Sequence, residues 1–206
     1  MTLVKLCGLC SVEDVLAANE AGPDMVGMIL APGFRRTVDI ECARSMAESV
    51  REGIMKVGVF VDQPTSEVCR IVTGLGLDVV QLHGNEKDAY IDGLRALLGI
   101  PIIKSFDIGA SGVDRIEQSH ADLVLIDPGQ GSGRTFDLSL LEGLGRRFIL
   151  AGGLTPDNVA DAVRRVRPYA VDTSSGVETD HRKDKMKMIG FVQSVREAES
   201  MQEETE

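Results

Sequence analysis

MKVGVFVDQPTSEVCRIVTGLGLDVVQLHG, residues 55–84, holds two short apolar runs rich in β-branched residues with an amphipathic stretch between them. The runs MKVGVFV (55–61) and DVVQLH (78–83) have the length and composition of buried strands. Pro64, Ser66 and Glu67 supply start signals for an intervening helix, and Gly74 a stop signal near its end. A strand, a helix and a second strand in this order form a parallel βα unit, because returning in the same direction requires a crossover of a dozen or more residues.

The same pattern extends in both directions along the chain. Further strand-like runs are LVKLC (3–7), MVGMI (25–29), PIIKSF (101–106), ADLVLID (121–127), RFILAG (147–152) and YAVDTS (169–174). Helix starts are marked by Ser11 with Glu13 and Asp14, and by Thr155, Pro156 and Asp157; stops are marked by Gly22, Gly53 and Gly99. Eight βα units within 206 residues predict an α/β fold, a single-domain (β/α)8 TIM barrel over residues 1–198, in preference to an open doubly wound sheet. Residues 199–206 are acidic and poor in apolar side chains, so a fraying helix or a disordered tail is expected there.

Hydrophobic content of 43% and charged content of 26% are those of a globular chain, and no apolar run has the length of a membrane span. Lys5 interrupts the first apolar run, so no secretory signal and a cytoplasmic location are expected. A net charge of −10 disfavours a nucleic-acid surface, which needs clustered Lys and Arg to replace counterions. The expected partner is a small molecule, with no nucleic acid and no membrane, and the chain is expected to be a monomer or a homodimer.

Strand parity sorts the polar residues by face, since residues two apart in a strand point the same way. Cys7 shares a face with Lys5 and Leu3, His83 with Gln81 and Val79, Asp127 with Leu125 and Leu123, and Asp172 with Ala170. Each polar residue closes or nearly closes its strand. Active sites of such barrels sit at the C-terminal rim, so Cys7, His83, Asp127 and Asp172 form a candidate constellation.

Cys7 and Cys10 also make a C-x-x-C spacing, the signature of redox motifs and of half a zinc site. A structural zinc site needs four ligands, and the other cysteines, Cys42 and Cys69, are isolated on predicted helices. A redox pair belongs in a thioredoxin-like setting, which eight parallel repeats do not provide. No metal site and no redox pair are therefore expected.

Two glycine-bearing loops follow the seventh and eighth strands, AGGLTPDN (151–158) and DTSSGVE (172–178). Loops at these positions commonly offer backbone N–H groups and a helix N-terminus to a phosphate. Gly152, Gly153 and Gly176 let the backbone approach such a ligand closely. After the second strand, APGFRRTVD (31–39) places Arg35 and Arg36 beside the rim, where a guanidinium can grip a carboxylate with two parallel hydrogen bonds. DPGQGSGRTFD (127–137) carries three glycines and few anchors, the composition of a mobile lid.

Taken together, KLCGL, KVGVFVD, VQLHG, LIDPGQGSGRTFD, LAGGLTPDNV and VRPYAVDTSSGVE followed by KD resemble the phosphoribosylanthranilate isomerases of tryptophan biosynthesis, in unbroken order from residue 3 to about 193. The resemblance implies a cofactor-free (β/α)8 barrel. Its substrate would be a phosphorylated aminosugar, N-(5′-phosphoribosyl)anthranilate, rearranged to the 1-deoxyribulose 5-phosphate. It further implies Cys7 as general base, Asp127 as general acid and Arg36 beside the anthranilate carboxylate. His83 and Asp172 become substrate-binding candidates, and the AGG and Ser174–Gly176 turns the phosphate loops. The family usually has Thr at the position of Cys10, so the C-x-x-C spacing is read as incidental.

An Amadori rearrangement needs one acid to open the ribose ring and one base to take a proton from C2. The acid must hold a proton near neutrality and the base must lose one, although isolated Asp and Cys ionise at about 3.9 and 8.5. Lys5, or the helix starting near Ser11, is a candidate for supporting the thiolate. The alternatives are a histidine-pathway aminoaldose isomerase, whose relatives end strand one with an acid where this chain has Cys7, and a non-catalytic barrel that binds a phosphorylated ligand.

Overall fold

The computed structural model describes residues 1–127, 141 and 144–203. Eight parallel strands close on themselves in sequence order: β1 (Leu3–Leu6), β2 (Met25–Ile29), β3 (Met55–Phe60), β4 (Val79–Leu82), β5 (Ile102–Phe106), β6 (Leu123–Ile126), β7 (Phe148–Leu150) and β8 (Ala170–Thr173). Closure is made by β8 pairing with β1, in a register that sets Leu3 beside Ala170 and Lys5 beside Asp172. The expected (β/α)8 barrel is the observed one, with each strand equal to its apolar run or one to three residues shorter.

The helices between these strands are α1 (Val12–Ala21), α2 (Ile40–Ser49), α3 (Thr65–Leu75), α4 (Asp88–Leu98), the short α5 (Ile108–Ser111) and α6 (Val113–Glu117), and α7 (Val159–Val166); α8 (Lys185–Glu203) closes the chain. Ser11 caps α1, its hydroxyl accepting from the Asp14 N–H at 3.2 Å. Gly22 and Gly99 end α1 and α4 in left-handed conformations, as their positions predicted. Gly74 does not end α3. The helix turns at Gly76 (φ 58°), where Gly76 N–H donates to Thr73 O and Leu77 N–H to Val72 O, the paired bonds of a Schellman cap. Likewise α2 stops at Ser49, and Gly53 (φ 89°) serves the turn that follows.

α7 starts at Val159, later than Thr155–Asp157. Asn158 makes the difference: its Oδ1 accepts from Thr155 N–H at 2.8 Å and its Nδ2 donates to Gly153 O at 3.0 Å, folding residues 153–158 into a turn ahead of the helix.

Apolar side chains separate into two layers. Met25, Val57, Val79, Ile103, Leu125, Ile149 and Ala170 fill the barrel, and the alternate strand residues, such as Leu6, Met28, Val80 and Ile126, pack with the helices. α8 continues through residues 199–203, beyond the point where composition predicts fraying. Glu199 anchors it by accepting from Thr2 N–H at 2.5 Å, and Arg196 binds Thr2 O and Asp24. Residues 204–206 and the glycine-rich stretch 128–137, read above as a lid, lie outside the described residues. Among the described residues no helix is long and apolar enough to cross a membrane.

Candidate active site

Cys7 follows β1 directly, and its N–H donates to Thr173 O at 2.8 Å, extending the β1–β8 ladder by one rung and so turning the thiol inward. It is buried. Lys5, two residues earlier on the same face, is fully buried, and its Nζ donates to Asp172 Oδ1 at 2.8 Å. Gly27 on β2 leaves the space these groups occupy: a Cβ there would stand 2.8 Å from Cys7 Sγ and 3.2 Å from Lys5 Nζ. After Cys7 the chain turns at Gly8 (φ 67°), over which the Arg36 side chain and Ser174 Oγ pack too closely for any Cβ.

Across the barrel, His83 follows β4 and Asp127 follows β6, each N–H bonding the last carbonyl of the preceding strand. His83 Nδ1 lies 3.2 Å from Gln81 Nε2 on the same inward face. Burial holds the His83 imidazole below its ordinary ionisation near 6.5, against the pull of the Asp127 and Asp172 carboxylates. His83 and Asp127 line a cavity of about 650 Å³ with Lys104, Ser105 and Phe106. Its wall is fixed by Glu86, which accepts from Asp62 N–H, Gly84 N–H and Lys104 Nζ at 2.8, 3.0 and 3.2 Å.

Arg36 meets a carboxylate, and that carboxylate belongs to the protein. Glu178 Oε1 accepts from Arg36 Nε at 2.6 Å and Oε2 from Arg36 Nη2 at 3.1 Å. Arg35 Nη2 binds the same Oε2 at 2.7 Å, and Lys183 Nζ binds Oε1 at 3.1 Å. Burial alone would raise the Glu178 pKa, but the hydrogen bonds from Arg36 and Arg35 and the charge of Lys183 overcome it and hold it at about 2. Glu178 and Lys183 face each other across the two-stranded hairpin of β9 (Glu178–Thr179) and β10 (Arg182–Lys183). Lys183 also donates to Ser174 O at 2.8 Å, tying the hairpin to the loop after β8.

The two glycine loops are fastened together. Thr173 Oγ1 donates to Leu154 O at 2.7 Å, and a Cβ on Gly176 would collide with that carbonyl. Gly152 and Gly153 take φ values of 86° and 66°, open only to residues without a side-chain penalty. Ser174 precedes a 3₁₀ turn over Ser175–Val177. The sequence-predicted phosphate residues thus adjoin one another and, through Ser174, border Gly8 and Arg36.

Cys10 parts company with Cys7. It is exposed, and its Sγ faces Gly8 O at 3.5 Å and Arg36 O at 3.8 Å, while burial and the nearby Asp14 push its pKa up. Cys42 and Cys69 are half-buried on α2 and α3. Among the described residues no three His, Cys, Asp or Glu side chains are placed to hold a metal ion.

The family model described as N-(5′-phosphoribosyl)anthranilate (PRA) isomerase matches residues 4–194. The chain belongs to the phosphoribosylanthranilate isomerase family. The N-(5′-phosphoribosyl)anthranilate isomerase of Lacticaseibacillus casei strain BL23 is 42% identical over 197 residues, 96% of each chain. The crystal structure of phosphoribosyl anthranilate isomerase from Thermus thermophilus superimposes with a TM-score of 0.85 at 35% identity, covering 96% of this chain and 99% of that one. A phosphoribosyl anthranilate isomerase in complex with reduced 1-(o-carboxyphenylamino)-1-deoxyribulose 5-phosphate superimposes at 0.83 with 30% identity, covering 96% and 100%. Within this isomerase family framework, Lys5 is already a sequence candidate for supporting the thiolate, whereas the contacts of Glu178 with Arg36 and of Lys183 with Ser174 have no counterpart in the sequence reading. The signal for Glu178 and Lys183 was the opposite-charge pair in GVE and RKD, positioned to face across a hairpin.

Proposed function

We propose that this phosphoribosylanthranilate isomerase works with Cys7 as general base and Asp127 as general acid in the Amadori rearrangement of N-(5′-phosphoribosyl)anthranilate, a step of tryptophan biosynthesis. The observation that carries the assignment is their placement: both follow the C-terminal ends of inward-facing strand positions, on β1 and β6, three strands apart around the ring. Asp127 protonates the ribose ring oxygen, the C1–O bond breaks, and nitrogen lone-pair donation leaves a protonated Schiff base. The Cys7 thiolate then removes the proton from C2, and its electrons neutralise the iminium to give an enolamine. Tautomerisation of the enolamine, with C1 gaining a proton and the C2 hydroxyl losing one, yields the aminoketose.

Arg36 is the proposed contact for the anthranilate carboxylate. Glu178 occupies the Nε and Nη2 edge of its guanidinium and fixes the plane, so a ligand carboxylate would approach along the Nη1 and Nη2 edge. Gly152, Gly153, Ser174, Ser175 and Gly176 are proposed to cradle the phosphate. His83, held neutral by burial, would hydrogen-bond substrate without carrying a proton. Asp172 is engaged with Lys5, which gives it a part inside the barrel floor rather than at the substrate alone.

The experiment is the decay of phosphoribosylanthranilate fluorescence with wild type, Cys7→Ala and Asp127→Ala. A positioned acid or base contributes about 10²–10⁴-fold, so each variant should lose at least about 100-fold in kcat. Near-normal turnover by either one would remove that residue from the mechanism.

A further inference from the structure

Lys5 is among the largest of the fully buried side chains. A methionine would fill the same space without the cost of desolvating a charge, and a buried ion pair is in general poor value for stability. The pair is also lopsided. Asp172 holds the ammonium from β8 at 2.8 Å, while on the other side the ammonium interacts with Cys7, in the space that Gly27 leaves open. Burial by itself would discharge Lys5, but its partners, the Asp172 carboxylate foremost, more than reverse this, so the ammonium stays charged.

Among the described residues, His83 after β4 acts on Lys5 and Asp172 and is itself flanked by Asp127 after β6 and Lys104 on β5, Lys183 on β10 acts on Cys7, and β2 presents Gly27. Of the cations, Lys183 also acts on Cys7, but it is already committed to Glu178 and Ser174.

We propose that Lys5 is a positioning residue for proton abstraction: its buried ammonium holds the Cys7 sulfur as a thiolate, and Asp172 partly neutralises that ammonium and sets the strength of its effect. The inference rests on Cys7 being the base.

Opposite charges in one pair give opposite signatures. Removing the cation makes the thiolate harder to form, and removing the anion makes it easier. The measurement is the rate of Cys7 alkylation by iodoacetamide against pH in a Cys10→Ser background, located by peptide fragmentation, alongside the rise of kcat/KM with pH. Lys5→Met should move both rises to higher pH by about one pH unit or more, and Asp172→Asn should move them to lower pH. Should Lys5→Met fail to fold with Asp172 left unpaired, the double variant Lys5→Met with Asp172→Asn carries neither charge and should show the upward shift. Shifts in the same direction for both single variants, no shift, or a shift produced by Lys183→Met and not by removal of Lys5 would overturn the proposal. A Cys7→Ser enzyme that still turns over would instead remove the base assignment itself, so the two failures are distinct.

Discussion

Arg36 and Glu178 are joined through two hydrogen bonds, Nε to Oε1 at 2.6 Å and Nη2 to Oε2 at 3.1 Å, although 142 positions separate them in the chain. The loop after β2 and the hairpin after β8 are thereby locked on either side of Gly8. The guanidinium reaches the rim already oriented, with its plane fixed before any ligand arrives.

Glu178→Gln should loosen this orientation. The affinity for substrate is expected to fall by about tenfold, seen as a higher KM with a smaller change in kcat, since one charge-assisted hydrogen bond is worth about 1.5–3 kcal/mol and part of the hold remains with the amide. The acid stability profile should change as well. Glu178 ionises at about 2 in the folded protein against an ordinary 4.5, so its contribution is present above 4.5 and is lost as pH falls towards 2. Denaturant unfolding at pH 5.5 and at pH 3 should show a smaller acid-induced loss in Glu178→Gln than in wild type.

His83 should remain neutral at neutral pH. Burial lowers its pKa below 6.5, so the unfolded chain takes up a proton there more readily than the folded one, and stability falls as pH drops below 6.5. A ¹⁵N NMR titration of the ring is expected to place its midpoint below that of free histidine. His83→Asn should weaken activity far less than Asp127→Ala, because a hydrogen-bonding group is lost and not a proton carrier.

Gly27→Ala tests the geometry around the thiol and around the Lys5 ammonium, from which a new Cβ would stand 3.2 Å away. The new methyl would stand 2.8 Å from Cys7 Sγ and 3.3 Å from Cys7 Cα, so the sulfur must move. Displacing a reacting group by about 1 Å can cost about 100-fold in rate. The expected outcome is a drop of that order in kcat with a cooperative thermal transition retained; unchanged kcat would show that the sulfur has more freedom than the packing allows.

Much of this architecture was legible before folding, because it depends on local patterns. The strand runs predicted β1 to β8 closely, and the two-residue period alone put Cys7, His83, Asp127 and Asp172 on the inward face at one rim. Helix ends were less legible. Gly74 and Gly76 are equally available in the sequence, and the choice falls to whichever position lets the chain turn into β4. Least legible were the ion pairs. Lys5 meets Asp172 only because β8 closes on β1 in that register, and Glu178 reaches Arg36 only because two loops from distant strands share the rim. The sequence presents Arg36 as a fork for a ligand carboxylate, and the structure shows one edge of that fork held by Glu178.

The most direct measurement compares the two cysteines of CGLC. Cys7 turns into the barrel beside Lys5, and Cys10 is exposed against the Gly8 and Arg36 carbonyls. With phosphoribosylanthranilate as substrate, Cys10→Ser should keep kcat within about twofold of wild type, while Cys7→Ser should lose at least about 100-fold and unfold at a similar temperature. Retained turnover in Cys7→Ser, or an equal loss in both variants, would contradict a mechanism in which one thiolate takes the C2 proton.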